Sequence, residues 1–315
     1  MFVLSARQSV DSGCLASLLC GPVNLTGTQP QNIQNNIAPR AVAIIPARYA
    51  SSRFPGKALV EIDGKPMICC VTERAAAARN VARVIVATDD QRISDAVRAS
   101  GFEAVMTRSD HPSGTDRIAE VAASLDDAEI IVNVQGDEPL IAPETIERAV
   151  EELRLGDGET GGRGDAEIGI VTTWERIESI ADVLSPDTVK IVVDHEGCAI
   201  YFSRSPVPYP REAVRKYGSV EAALENDPGL MKQFRKHTGL YVYRRDVLLA
   251  LSRWPQTELE KTESLEQLRA LEHGVKIRAV EAATRSIGVD TVEDLQRVRT
   301  EFKSEIRNSK FAILP

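Results

Sequence analysis

The chain has 315 residues, 43% hydrophobic and 27% charged, which supplies one large core or two smaller ones and rules out disorder along most of its length. Its 38 Lys and Arg against 46 Asp and Glu leave a net charge of −8, so no broad nucleic-acid surface is expected and an anionic ligand must be met by a local group of cations. No run approaches the roughly 18 apolar residues of a membrane span, and five cysteines without CxxC or zinc-ligand spacing fit thiols of a reducing compartment.

Residues 1–40 read as a disordered extension. The stretch GTQPQNIQNNIAPR is polar and aperiodic, and CLASLLC is too short and too weakly flanked for a clear secretory signal, so a cytoplasmic location is expected. From 41 the pattern changes. AVAII (41–45) has the continuous apolar character of a strand buried on both faces, and a loop punctuated by Pro and Gly follows over 46–57. A turn at Asp63 and Gly64 precedes a helix entered near Pro66 and running to about 79.

The alternation continues with strand 83–88, helix 91–100, strand 103–107, helix 115–125, strand 129–134 and a helix from Pro143 to about 154. Strands alternating with helices of this length predict an α/β fold, a mostly parallel, doubly wound sheet covered on both faces. Ligands of such sheets sit at the carboxyl ends of the strands, which directs attention to the loops after 45, 88 and 134.

A glycine-rich connection (156–164) leads to strands near 168–173, 188–194 and 198–202, then a proline-rich segment, SPVPYP (205–210). Residues 211–236 read as polar and mobile. Strand 239–244, helix 245–251, a single helix 258–273, strand 275–281 and a terminal helix from Thr291 complete the chain. In the helix 258–273, Leu259, Leu265, Leu268 and Leu271 fit one buried stripe. The less regular part, about 185–245, reads as a smaller inserted portion.

Three motifs carry chemistry. PARYASSRFPGK sets Arg48, Arg53 and Lys57 around Ser51, Ser52 and Gly56 at the end of the first buried strand. Arginine forks and a lysine point charge suit phosphate oxygens, and glycine permits close backbone approach. Lys57 is followed by Ala58, so this is not a Walker A loop, and no GxGxxG supports a dinucleotide-binding dehydrogenase. VQGDEP carries Asp137 and Glu138 past another strand end; magnesium favours one or two carboxylates together with substrate phosphates. GVDTVEDL holds Asp290; Asp290 or Thr291 could simply cap the last helix, but paired with Asp137, Asp290 becomes a candidate second metal ligand. Asp89 and Asp90 after VAT read as caps of the next helix. His111, His195 and His273 receive no role.

With these blocks the chain resembles the 3-deoxy-manno-octulosonate (Kdo) cytidylyltransferase family. The likeness runs over about 41–299 and includes MTRSDHPSGTDRIAEV, YFSRSPVP, HTGLYVYR and LEQLRALEHG. It implies a nucleotide-diphospho-sugar transferase-like fold in residues 41–315, with a sugar-binding and dimerisation portion at about 185–245. It implies activation of Kdo with CTP and magnesium to give CMP-Kdo and pyrophosphate, for lipopolysaccharide biosynthesis, by a homodimer. The resemblance carries phosphate binding to Arg48, Ser51 and Lys57 with Arg53 nearby, nucleotide binding to Asp89, and metal binding to Asp137 and Asp290. Arg48, Lys57 and Asp137 are the expected catalytic residues. Sugar contacts fall on Arg117, Gln135, His237, Tyr241, Glu266 and Gln267, with Arg204 a weaker candidate. The alternatives are a cytidylyltransferase for sialic acid or amino-Kdo, and a non-catalytic nucleotide-sugar sensor. The sensor should lack a metal carboxylate or a phosphate cation, and all are present here.

Overall fold

The computed structural model describes residues 41–50, 54–156 and 167–311, with side chains as far as 304. The extension expected at 1–40, the candidates Ser51 and Arg53, and most of the glycine-rich connection lie outside the described residues.

The chain opens with β1 (Ala41–Ala47), a 3-10 turn (Lys57–Leu59), the small hairpin β2 (Glu61–Ile62) and β3 (Lys65–Pro66), and α1 (Met67–Ala77). Next come β4 (Val81–Thr88), α2 (Gln91–Ala99), β5 (Glu103–Met106), α3 (Gly114–Ala123), β6 (Ile130–Asn133) and α4 (Pro143–Leu155). The later part holds β7 (Ile168–Arg176), α5 (Ile180–Leu184), β8 (Lys190–Val193), β9 (Ala199–Ser203), α6 (Arg211–Tyr217) and α7 (Val220–Asn226). A second 3-10 turn (Pro228–Gln233) leads into β10 (Arg235–Arg244), α8 (Arg245–Leu251), α9 (Glu258–Glu263), α10 (Gln267–Glu272), β11 (Lys276–Glu281) and α11 (Val292–Phe311).

Among the described residues one sheet runs β11-β7-β10-β6-β1-β4-β5, with the β8–β9 hairpin branching from β10. The strands β6, β1, β4 and β5 are parallel, as the alternation predicts, while β10 is inserted antiparallel between β6 and β7. The alternation along β1 explains its unbroken apolar character. Ala41, Ala43 and Ile45 enter the core beneath α1 and α4, and Val42 and Ile44 enter the opposite core beneath α3 and α8. Ile44 and Ile45 are fully buried, a burial worth roughly 1.5–3 kcal/mol for each side chain. No helix of the described residues is long and apolar enough to cross a membrane.

Two expectations are corrected. Residues 211–236 form α6, α7, a 3-10 turn and the start of β10, and Leu224 and Phe234 bury against Ile177 and Val183 in a small cluster of their own, so composition alone misjudged an anchored segment. The single helix expected over 258–273 is broken. Ser264 takes a left-handed backbone (φ 52) between α9 and α10, and the break leaves Leu259 39% exposed instead of on the buried stripe.

Candidate active site

The loop after β1 turns back at Gly56, whose φ of 72 would strain any side chain. Its N–H donates to the Tyr49 carbonyl (2.9 Å), and Lys57 begins the 3-10 turn directly afterwards. The segment after β6 passes so close to β1 that a Cβ at Gly136 would lie 2.8 Å from the Pro46 carbonyl oxygen; only glycine fits there. That approach sets Asp137 beside the first loop. The Val289 N–H then donates to the Asp137 carbonyl (2.9 Å), drawing in the segment ahead of α11.

Of the two residues offered as caps of the last helix, Asp290 or Thr291, it is Thr291 that caps it, with Asp294 reciprocating. Thr291 Oγ1 accepts from the Asp294 N–H, and the Asp294 carboxylate accepts from the N–H groups of Asp290 and Thr291. The Asp290 carboxylate itself meets Lys57. Lys57 Nζ donates to Asp137 Oδ2 (2.7 Å) and to Asp290 Oδ1 (3.1 Å), with the lysine largely buried and the acids 34% and 50% exposed. Three residues up to 233 positions apart thus converge. They share a cavity of about 460 Å³ with Arg48, His111, Ser113, Arg117 and Gln135. Its chemistry suits a polyanion: the basic side chains of Arg48, Lys57 and Arg117, helix N-terminal N–H groups at α3, and two partly solvated acids able to hold a divalent cation with substrate phosphates.

A second cavity of about 240 Å³ adjoins the first and shares Gly114 and Gln135 with it. Tyr241, Glu266 and Gln267 line it, together with Thr115, Asn133, Tyr243 and Ser264. Tyr241 and Tyr243 project to the same side of β10 and stack with ring centroids 5.7 Å apart. Gln135 Nε2 is held by the Gly239 carbonyl at 3.0 Å. Burial raises the Tyr241 phenol well above its ordinary range, so it remains a neutral donor.

Four candidates stand elsewhere than expected. Arg117, expected on the sugar, lines the first cavity. It is 4% exposed and donates to Thr107 Oγ1 (2.5 Å) and Asp89 Oδ2 (3.1 Å). A buried guanidinium needs such a partner, so Asp89, which does not line the cavity, neutralises Arg117 there, and Asp90 caps α2. His237 lines neither cavity. Thr172 Oγ1 gives its hydrogen to the Leu240 carbonyl (2.8 Å), so His237 Nε2 must donate to that hydroxyl (2.9 Å). Burial pushes its imidazole down to about 3, and its ring packs between Phe202 and Tyr241. Arg204 also lines neither cavity; its guanidinium donates to the carbonyls of Glu263, Pro186 and Ser264.

Several residues escaped the sequence reading. Asn133 is a polar side chain in an otherwise apolar buried strand, and Tyr243 is two positions from Tyr241; both patterns were readable. His111, given no role, is buried at the first cavity against Glu120, a long-range fact without a local signal. Beside the acids, burial and then the charge of Asp137 push Glu138 up to about 7.

A cytidylyltransferase family model matches residues 42–277. The 3-deoxy-manno-octulosonate cytidylyltransferase of Geobacter metallireducens is 53% identical over 259 residues, covering 82% of this chain and 96% of that protein. Its counterpart in Geobacter sulfurreducens is 51% identical over 261 residues, covering 83% and 98%. Among solved structures, a CMP:2-keto-3-deoxy-manno-octonic acid synthetase complexed with CTP superposes with a TM-score of 0.73 at 44% identity, over 84% of this chain and 99% of that one. The 4-diphosphocytidyl-2C-methyl-D-erythritol synthase of Anaerococcus prevotii, at 14% identity and a TM-score of 0.52 over 84% and 96% of the two chains, shares the fold. The chain belongs to the 3-deoxy-manno-octulosonate cytidylyltransferase family.

Proposed function

We propose that this chain transfers CMP from CTP to the anomeric hydroxyl of Kdo and releases pyrophosphate, with the triphosphate in the first cavity and the acid sugar in the second. The observation that carries this reading is the junction of Lys57 with Asp137 and Asp290 in a cavity that shares Gln135 and Gly114 with a second one, lined by hydrogen-bonding tyrosines and amides together with Glu266. The sugar hydroxyl oxygen forms a bond to the α-phosphorus as the bond to the β-phosphate oxygen breaks. Arg48 and Lys57 neutralise the charge that gathers on the departing pyrophosphate. Tyr241, Gln135, Glu266 and Gln267 orient the hydroxyls of the sugar, so catalysis rests on positioning and preorganised charge, without a covalent enzyme intermediate.

The donor set suits magnesium: Asp137 and Asp290 present carboxylates to one point of positive charge, and both keep access to solvent. These two acids would hold the ion, which when bound supplies charge stabilisation at the phosphates and lowers the pKa of a nearby hydroxyl. We further assign a homodimer acting in the cytoplasm. The exposed Ile200 and Tyr209, 59% and 60% accessible, offer apolar surface for a second copy, which sedimentation would reveal as a doubled mass.

The test is pyrophosphate release from each of the four nucleoside triphosphates, with and without Kdo, amino-Kdo or sialic acid. Release is expected only with CTP and Kdo together. Equal release with every nucleotide, or none with any acid sugar, contradicts the reading; preference for another acid sugar replaces Kdo as the substrate while leaving the chemistry in place.

A further inference from the structure

Among the described residues only Asp63 and Ser264 have positive φ without being glycine. Asp63 sits in the tight turn of the β2–β3 hairpin, which accounts for it. Ser264 sits at the break between α9 and α10, with Leu265, Glu266 and Gln267 directly after it, and all four line the second cavity. A strained backbone at a cavity wall requires something to hold it.

Arg204 holds it. Its Nε donates to the Glu263 carbonyl (2.7 Å), its Nη2 to the Ser264 carbonyl (3.3 Å) and its Nη1 to the Pro186 carbonyl (2.9 Å). The carbonyls of Glu263 and Ser264 are ones that the end of α9 leaves without helical partners, and a planar fork of donors can take several carbonyls together. The grip is reciprocal. The Glu263 carboxylate accepts from the Arg204 N–H (2.9 Å) and from Ser203 Oγ (2.7 Å). Beneath it the fully buried Lys190 donates to the carbonyls of Arg204 (2.5 Å), Thr188 (2.6 Å) and Ser185 (2.8 Å), so the backbone carrying the guanidinium is itself tied down.

We propose that Arg204 and Glu263 are positioning residues for the acid-sugar pocket: they keep Ser264 in its left-handed backbone so that Glu266 and Gln267 face the second cavity. This rests on the assignment of that cavity to the sugar. With the clamp lost, Ser264 relaxes toward helical φ, α9 joins α10, and the side chains that follow turn off their present face.

The experiment measures steady-state kinetics with Kdo and CTP varied separately for Arg204→Met, Arg204→Lys and the double variant Arg204→Met with Ser264→Gly. In both single variants the KM for Kdo is expected to rise roughly tenfold or more, while the KM for CTP stays within about twofold and reports an intact fold. Lysine keeps the charge but not the fork, so an Arg204→Lys enzyme with an unchanged KM for Kdo overturns the proposal. Glycine adopts the left-handed backbone without a Cβ clash, so the double variant is expected to recover most of the Kdo affinity. Absence of recovery means that Arg204 touches the sugar itself and also overturns the proposal. A wild-type enzyme that releases no pyrophosphate with Kdo contradicts the proposed function; a wild type that uses Kdo beside an unaffected Arg204→Met contradicts only the positioning role.

Discussion

The two adjoining cavities are built on opposite plans. The first is assembled from loops at strand ends, and its key side chains are charged, partly solvated and brought together from remote parts of the chain. The second is built on β10 and the corner between α9 and α10, from stacked tyrosines, amides and Glu266, on a backbone fixed by a buried ion pair and carbonyl contacts. The contrast follows from the ligands each would take. A polyphosphate is recognised by charge and tolerates mobile, hydrated partners, whereas a polyhydroxylated sugar is recognised by hydrogen bonds that fail if their donors shift by an ångström.

The sharpest way to break this contrast is to loosen the second region from behind. Arg269 and Glu260 form a buried bidentate pair at 2.8 and 2.6 Å, and Arg269 also donates to the carbonyls of Leu251 and Trp254. Arg269→Met leaves the Glu260 carboxylate buried without its partner, and a loss of about 3–5 kcal/mol in urea unfolding is expected. A midpoint close to wild type shows that the wall does not depend on that pair.

In the first region the expected effects fall on catalysis. Asp137→Asn should lower kcat by roughly 10² or more, with little change in the unfolding midpoint, because the acid is partly exposed and its loss removes charge without leaving a cavity. Near-normal turnover in magnesium would exclude Asp137 from the reaction. Lys57→Ala should raise the KM for CTP by about tenfold or more, the scale of a lost charge-assisted contact, while cytidine binding measured by calorimetry changes far less. Parallel losses for cytidine and CTP would mean that Lys57 shapes the whole cavity.

Smaller effects sharpen the contrast. Tyr241→Phe keeps the stacked ring and removes the hydroxyl proposed to meet the sugar, so a rise of a few-fold in the KM for Kdo, with CTP unaffected, is expected. Acid stability separates the regions as well. His237 is held at about 3 against an ordinary 6.5, so between these values the unfolded chain takes up a proton that the folded chain refuses. That contribution is present above pH 6.5 and lost as the pH falls. Glu138 has the opposite sign: pushed from 4.5 to about 7, it keeps a proton in the folded chain across that window, and its contribution is lost as the pH rises. The His237→Gln variant should therefore lose less stability than wild type on going from about pH 6.5 to pH 4. Urea midpoints with identical pH slopes would contradict the burial argument.

Much of the first region was legible beforehand. Lys57, Asp137 and Asp290 each follow an element boundary marked by local turn chemistry, and the α/β alternation says that such boundaries gather at one edge of a sheet. The second region was harder to read. Tyr241, Gln135, Glu266 and Gln267 do line cavities, but His237 packs behind Tyr241, Arg117 faces the other cavity, and Arg204 braces a corner the periodicity did not reveal.

What the sequence by itself determined were the elements of the first half, the double-sided burial of β1, and the three motifs at strand ends. These depend on alternation, capping and turn residues, all short-range properties of neighbouring positions. Only the tertiary structure decided which charges are used up internally, as in the pairing of Arg117 with Asp89, and where a helix breaks, as at Ser264 under the hold of Arg204. The reason is physical: a buried charge takes whichever partner the fold brings within about 3 Å, and residues 28 or 60 positions apart leave no periodic trace of that meeting.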